Sequence, residues 1–145
     1  MSFQWLQMRI TEEQDRRERE RQILERLPRV MEEVHRALVL CVQGYAEAFG
    51  PESIEIAFQH QKIRVTTREE LEGKWEKAGK VEITLIPKLP GLLIDRNGDP
   101  LEIEVGLLPG DKTFYKDGEQ FLTMDDLTRR ILDRTLFPKL GTEGA

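Results

Sequence analysis

The sequence predicts an α+β domain, an antiparallel meander of about six strands with helices from both ends of the chain packed on it. Three observations predict it. Apolar residues recur at helical spacing from Val30 to Phe49, at every second position in short runs from Ile54 onward, and at helical spacing again after Thr123. Most links between the strand-like runs are too short for parallel crossovers. Two of them contain Asn97-Gly98 and Asp117-Gly118, dipeptides that tight hairpin turns favour.

Residues 1–10 alternate loosely, with Phe3, Trp5, Met8 and Ile10 apolar, which suits an edge strand or a docking arm. An arm carrying Phe and Trp is costly to leave in water, so it is expected to pack on something. Thr11-Glu12-Glu13-Gln14 has the spacing of a capping box, so a helical region is expected over residues 11–49. Its first turns mix both signs of charge, with Glu12–Arg16 and Glu13–Arg17 in the favourable i,i+4 order. They read as a solvated or projecting helix. Pro28 has no N–H to give and crowds the preceding turn, so a kink or break is expected there. Beyond it, Val30, Val34, Leu38, Cys41 and Tyr45 form one stripe, flanked by Met31, Val42 and Phe49, and Gly50-Pro51 ends the helix. Residues 29–49 span about 30 Å as a helix.

The sheet region is expected over residues 54–122. A tight turn at His60-Gln61 sets Ile56 against Val65 and Phe58 against Ile63 on one face. Thr67-Arg68-Glu69-Glu70 repeats the capping-box form, so one short helix is expected over about Arg68–Lys77, weakened by Gly73. Val81, Ile83 and Leu85 make a third strand, followed by a loop through Pro87 and Pro90-Gly91. The Asn97-Gly98 turn pairs Ile94 with Leu101 and Leu92 with Ile103. The Asp117-Gly118 turn is expected to set Phe114 against Phe121 and Lys116 against Glu119. Thr123 caps a C-terminal helix over residues 123–137, whose inner face is Met124, Leu127, Ile131, Leu132 and Leu136; residues 138–145 form a tail.

The 145 residues are the common size of one domain and suffice for a core without disulfide or metal. With 39% hydrophobic residues, 34% charged residues and a net charge of −5, the chain has no global reason to seek nucleic acid or an anionic membrane. Cys41 is the one cysteine, which forbids an intrachain disulfide and suits a reducing compartment. Met1-Ser2-Phe3-Gln4-Trp5 lacks the form of a secretory signal, and the longest apolar stretch, Ala37–Val42, is too short to span a bilayer. The expectation is a water-soluble cytoplasmic protein.

Few constellations suggest chemistry. Asp95-Arg96-Asn97-Gly98-Asp99 has the superficial look of a calcium loop, but the sixth position is Pro100 and the twelfth Gly106, where Gly and a bidentate Glu are demanded. Asp95, Glu102 and Glu104 should share the wet sheet face, where clustered carboxylates are low-ranking candidates for a divalent metal or an acid/base pair. No Glu-x-Lys of the restriction-nuclease kind follows Asp95. His35 and His60 have no metal-ligand spacing, and Cys41 reads as a small core hydrophobe. No nucleophile elbow, Walker loop or Rossmann glycine set is present. Arg16, Arg17, Arg19 and Arg21, and Arg129, Arg130, Arg134 and Lys139, lack the interleaved aromatics of a nucleic-acid surface.

No catalytic residue and no cofactor is assigned, and the balance leans away from an enzyme. The favoured reading is an interaction module, most simply a homodimer, that uses Phe3, Trp5, Leu89 and Leu108 with the neighbouring loop apolars Leu92 and Leu107. Self-association or another protein is the expected partner; a membrane is not. One alternative is a small-molecule-binding domain with a pocket near Tyr45, Trp75 and Tyr115. The other is a metal-assisted hydrolase built on Asp95, Glu102 and Glu104.

Overall fold

A computed structural model describes residues 3–141. It has a long helix, α1 (Gln4–Phe49), then seven strands, then a second helix, α2 (Met124–Leu136). The strands are β1 (Ile54–Gln59), β2 (Lys62–Leu71), β3 (Lys74–Ile86), β4 (Gly91–Arg96), β5 (Asp99–Leu108), β6 (Lys112–Asp117) and β7 (Gln120–Leu122). They form one antiparallel sheet in chain order, so every strand is bonded only to its sequence neighbours. The α+β class, the meander and the C-terminal helix packed on it stand as the sequence predicts.

The inner face of the sheet follows directly from strand alternation. Ile63, Val65, Val81, Ile83, Leu92, Ile94 and Ile103 are fully buried there, against Val30, Met31, Val34 and Leu38 of α1 and Leu127 and Ile131 of α2. Each such side chain is worth about 1.5–3 kcal/mol of burial. The registers Ile56↔Val65, Phe58↔Ile63, Leu92↔Ile103 and Ile94↔Leu101 match the expected pairs. Asn97 (φ 56°) and Gly98 (φ 93°) take the left-handed conformations that a two-residue hairpin turn needs.

Four expectations are corrected. Residues 4–10 are not a strand: α1 starts at Gln4, and the Thr11 hydroxyl donates to the Gln7 carbonyl at 3.1 Å inside the helix instead of capping it. Nothing in Gln4–Leu27 breaks a helix, and Gln, Leu, Met and Arg all favour one. The helix also runs through Pro28 without a break. The neighbours Leu27, Val30 and Met31 are all buried, and that packing offsets the lost hydrogen bond.

No helix forms over Arg68–Lys77. Those residues extend β2 and β3 as a hairpin, closed by Glu72 (φ 53°) and Gly73 (φ 77°), so the sheet has seven strands and no inserted helix. The last hairpin pairs Lys116 with Phe121 and Asp117 with Gln120, not Phe114 with Phe121. Gly118 (φ 59°) takes the first central position of the turn and Glu119 the second, which moves the register by two residues. Phe114 and Phe121 still meet diagonally, ring centroids 5.3 Å apart.

Candidate functional site

The dominant surface feature is the first part of α1. From Phe3 to Gln22 no residue is buried, so this stretch stands about 28 Å beyond the body, as the rise of a helix over 19 residues gives. Its tip carries Phe3, Trp5, Leu6, Met8 and Ile10, with Trp5 66% and Met8 65% exposed. Apolar side chains therefore lie exposed on more than one side of this helix.

Between tip and body the projection is held by ion pairs. Glu13 accepts from Arg16 Nη2 at 2.7 Å and from Arg17 Nε at 3.1 Å; Arg16 also reaches Glu20 at 2.6 Å. Arg21 bridges Glu18, at 2.6 Å, and Glu25. Hydrogen bonds from Arg16, then Arg17, pull the Glu13 carboxyl down to about 2. A charged ladder of this kind supports a helix that lacks tertiary contacts. Where α1 enters the body, Arg26 Nη1 donates to the Asp111 carbonyl at 2.7 Å and ties the β5–β6 turn to the helix.

The other sequence candidates scatter. Of the four interaction residues, Phe3 and Trp5 lie at the tip, Leu108 lies at the end of β5 and is exposed, and Leu89 is half-buried in the β3–β4 loop. Leu92, counted with the loop apolars, is a core residue of β4. Asp95, Glu102 and Glu104 do share the outer sheet face, but Asp95 Oδ1 accepts from the Gly98 N–H at 2.7 Å and Glu104 stands opposite Lys116. Among the described residues no group of three or more His, Cys, Asp or Glu is placed to hold a metal ion. On the same face Glu82 lies beside Lys80 at 2.9 Å, Lys62 at 3.2 Å and Arg64 at 3.5 Å; Lys80, then Lys62, lower its carboxyl to about 2.

Tyr45, Trp75 and Tyr115 do not converge. Tyr115 is packed in the core, Trp75 lies on β3 beside Gly50, and Tyr45 stacks near Phe49 (4.7 Å) and Phe137 (5.9 Å). The feature that residue spacing missed is the groove edged by Tyr45, Phe49 and Phe137, between the C-terminal half of α1 and α2. It encloses about 470 Å³ and is floored by Cys41, Gly44, Ala48 and Leu132. Small residues at 41, 44 and 48, facing Leu132 and Leu136, are the signal that could have found it.

His35 stacks on Phe58 at 4.8 Å, and His60 sits in the β1–β2 turn. The basic residues of α2 are engaged: Arg130 with Asp117 at 2.9 Å, Arg134 with Asp99 at 2.6 Å. No helix among the described residues is long and apolar enough to cross a membrane. No protein-family model matches the chain, and no curated protein or solved structure matches it either.

Proposed function

We propose that this chain is a non-catalytic protein-interaction module, most simply a homodimer, with the projecting part of α1 as its docking element. The observation that carries the reading is the exposure of Phe3, Trp5, Leu6, Met8 and Ile10 on a helix that leaves the body with no partner among the described residues. Five large apolar side chains held in water on an ion-paired stalk cost free energy unless a surface covers them. The single, half-buried cysteine suits work in a reducing compartment such as the cytoplasm.

Light scattering coupled to size exclusion tests the reading, on the intact chain and on a chain lacking residues 1–22. Self-association that the deletion abolishes supports it. An intact chain that stays monomeric at high concentration and captures no protein through this segment overturns it.

A second reading rests on the α1–α2 groove, whose volume of about 470 Å³ lies in the range of small-molecule sites. Its rim of Tyr45, Phe49 and Phe137 suits an apolar ligand. An environment-sensitive apolar dye that brightens with the native chain, and not with a G44L variant, supports this reading; equal brightening of both removes it.

A further inference from the structure

We infer that the docking element of α1 pairs with the same segment of a second copy, antiparallel, with the two-fold axis near residue 15. This rests on the interaction-module reading above and adds its partner, orientation and register. The starting point is a seam of seven-residue period. Leu27, Met31, Val34 and Leu38 alternate three and four residues apart and bury α1 against the sheet. The same spacing continues outward through Leu24, Glu20, Arg17 and Glu13 to Ile10, Leu6 and Phe3. One stripe therefore serves two surfaces: its inner half has the sheet, and its outer half has no partner among the described residues. Phe3 is 53% exposed, and Leu6 and Ile10 are each 40% exposed.

Charge decides which partner fits the outer half. The three polar seam positions read Glu13, Arg17, Glu20. A parallel copy in register sets each against itself, giving three successive layers of like charge. An antiparallel copy offset about residue 15 sets Glu13 against Arg17 of the partner, and does so twice by symmetry. The Arg17 side chain, though it donates to Glu13 of its own chain, stays 75% exposed and open to a second carboxylate. In the same register Leu6 meets Leu24 of the partner, a side chain only partly covered by its own core. Ile10 lies on the aliphatic stem of Glu20 of the partner, whose carboxylate Arg16 holds.

Phe3 then arrives at the neck of the partner, where the β5–β6 turn is fastened to Arg26. This explains why the apolar residues cluster at the tip: that is where the helix of one copy reaches the body of the other. The middle of the pair is ion-matched and both ends are oily.

Directed crosslinking tests the register. Cys41 is replaced by Ser, and Leu6→Cys and Leu24→Cys chains, tagged to differ in size, are oxidised alone and mixed. The mixture should give a heterologous crosslink and neither chain alone should give one. Ile10→Cys with Glu20→Cys repeats the test with more exposed residues, in case Leu24→Cys fails to fold. Self-crosslinking of Leu6→Cys means parallel pairing and overturns the inference. A dimer by light scattering that crosslinks in neither mixture also overturns it, while leaving the self-association reading intact; a monomer removes both.

Charge swaps give an independent readout. Glu13→Arg or Arg17→Glu alone should weaken the dimer, and an equimolar mixture of the two variants should recover it, although neither chain regains its own Glu13–Arg17 pair. A mixture no better than the separate variants counts against the register.

Discussion

Arg16 grips Glu13 in a fork, its Nε at 3.1 Å from both carboxylate oxygens and its Nη2 at 2.7 Å from one of them. Because Glu13 is ionised in this grip, its contribution has a pH signature. The folded-state value of about 2 lies below the ordinary 4.5, so the stabilisation is complete above about 4.5 and is lost as the pH falls through 2. Glu18, lowered by its hydrogen bond to Arg21, acts in the same direction. The helical circular-dichroism signal of the projecting segment should therefore decline on acidification across that window. A chain with Glu13→Gln and Glu18→Gln should lack that part of the decline. Identical acid profiles for the two chains would contradict the role given to the ladder.

Gly91 leaves no room for a side chain. A Cβ there would stand 2.0 Å from the backbone carbonyl oxygen of Ile103 and 2.9 Å from the Leu89 side chain. Backbone in the middle of a sheet cannot yield cheaply, so Gly91→Ala should destabilise the fold by about 2–4 kcal/mol. Urea unfolding measures it, and a loss under 1 kcal/mol would show that β5 is more compliant than the packing implies. Gly98→Ala meets no atom within 4 Å; its cost should be the smaller one of a left-handed φ of 93°.

Both tyrosines should titrate late. Burial, with the Glu33 carboxylate adding to it, pushes Tyr115 up to about 12, against a small opposing effect of the Thr113 hydroxyl; burial, with Glu69 behind it, also raises Tyr45. With these the chain's two tyrosines, tyrosinate absorbance at pH 10 should be well below half its final value. Since the Tyr115 hydroxyl is buried without a hydrogen-bond partner of good geometry, Tyr115→Phe should be neutral or slightly stabilising, within about 1 kcal/mol. A clear loss of stability would reveal a partner for that oxygen.

Thr123 and Asp126 satisfy each other's backbone: the Asp126 N–H donates to Thr123 Oγ1 at 3.1 Å, and the Thr123 N–H donates to Asp126 Oδ2 at 3.0 Å. Thr123→Ala should cost about 1 kcal/mol by thermal or denaturant unfolding. Asp126→Asn should cost less, because an amide oxygen still accepts from Thr123. An equal loss for the two would assign the effect to charge near the helix start instead of to the reciprocal bonds.

The sequence was most legible where burial and turn chemistry agreed. Ile63, Val65, Val81, Ile83, Leu92 and Ile94 alternate strictly because one face is core, and Asn97-Gly98 fixes their register with a turn few other dipeptides make. It was least legible where burial is absent. The outer half of the β2–β3 hairpin has solvent on both faces, so Arg68–Lys77 carries no period-two signal and Thr67-x-x-Glu70 imitates a helix start. At Pro28 the expected break does not occur for a tertiary reason, since the packing on either side of it outweighs a local preference.

The candidate surface was half visible. Phe3 and Trp5 stand out from composition alone, but as a strand their spacing conceals the seven-residue seam that a helix reveals. The α1–α2 groove depends on how two helices separated in the chain by the whole sheet come together, which no local pattern encodes.

A sheet whose strands follow one another in space as in the chain can close hairpin by hairpin, each joint spanning a short loop of chain. During synthesis the strands can zip in the order they emerge, against a long helix already made. Leu127 and Ile131, however, sit on the last element, so the oily floor near Val81 and Ile94 stays open until α2 is released. A chain that lost residues 124–136 would leave that floor uncovered even with every strand in place.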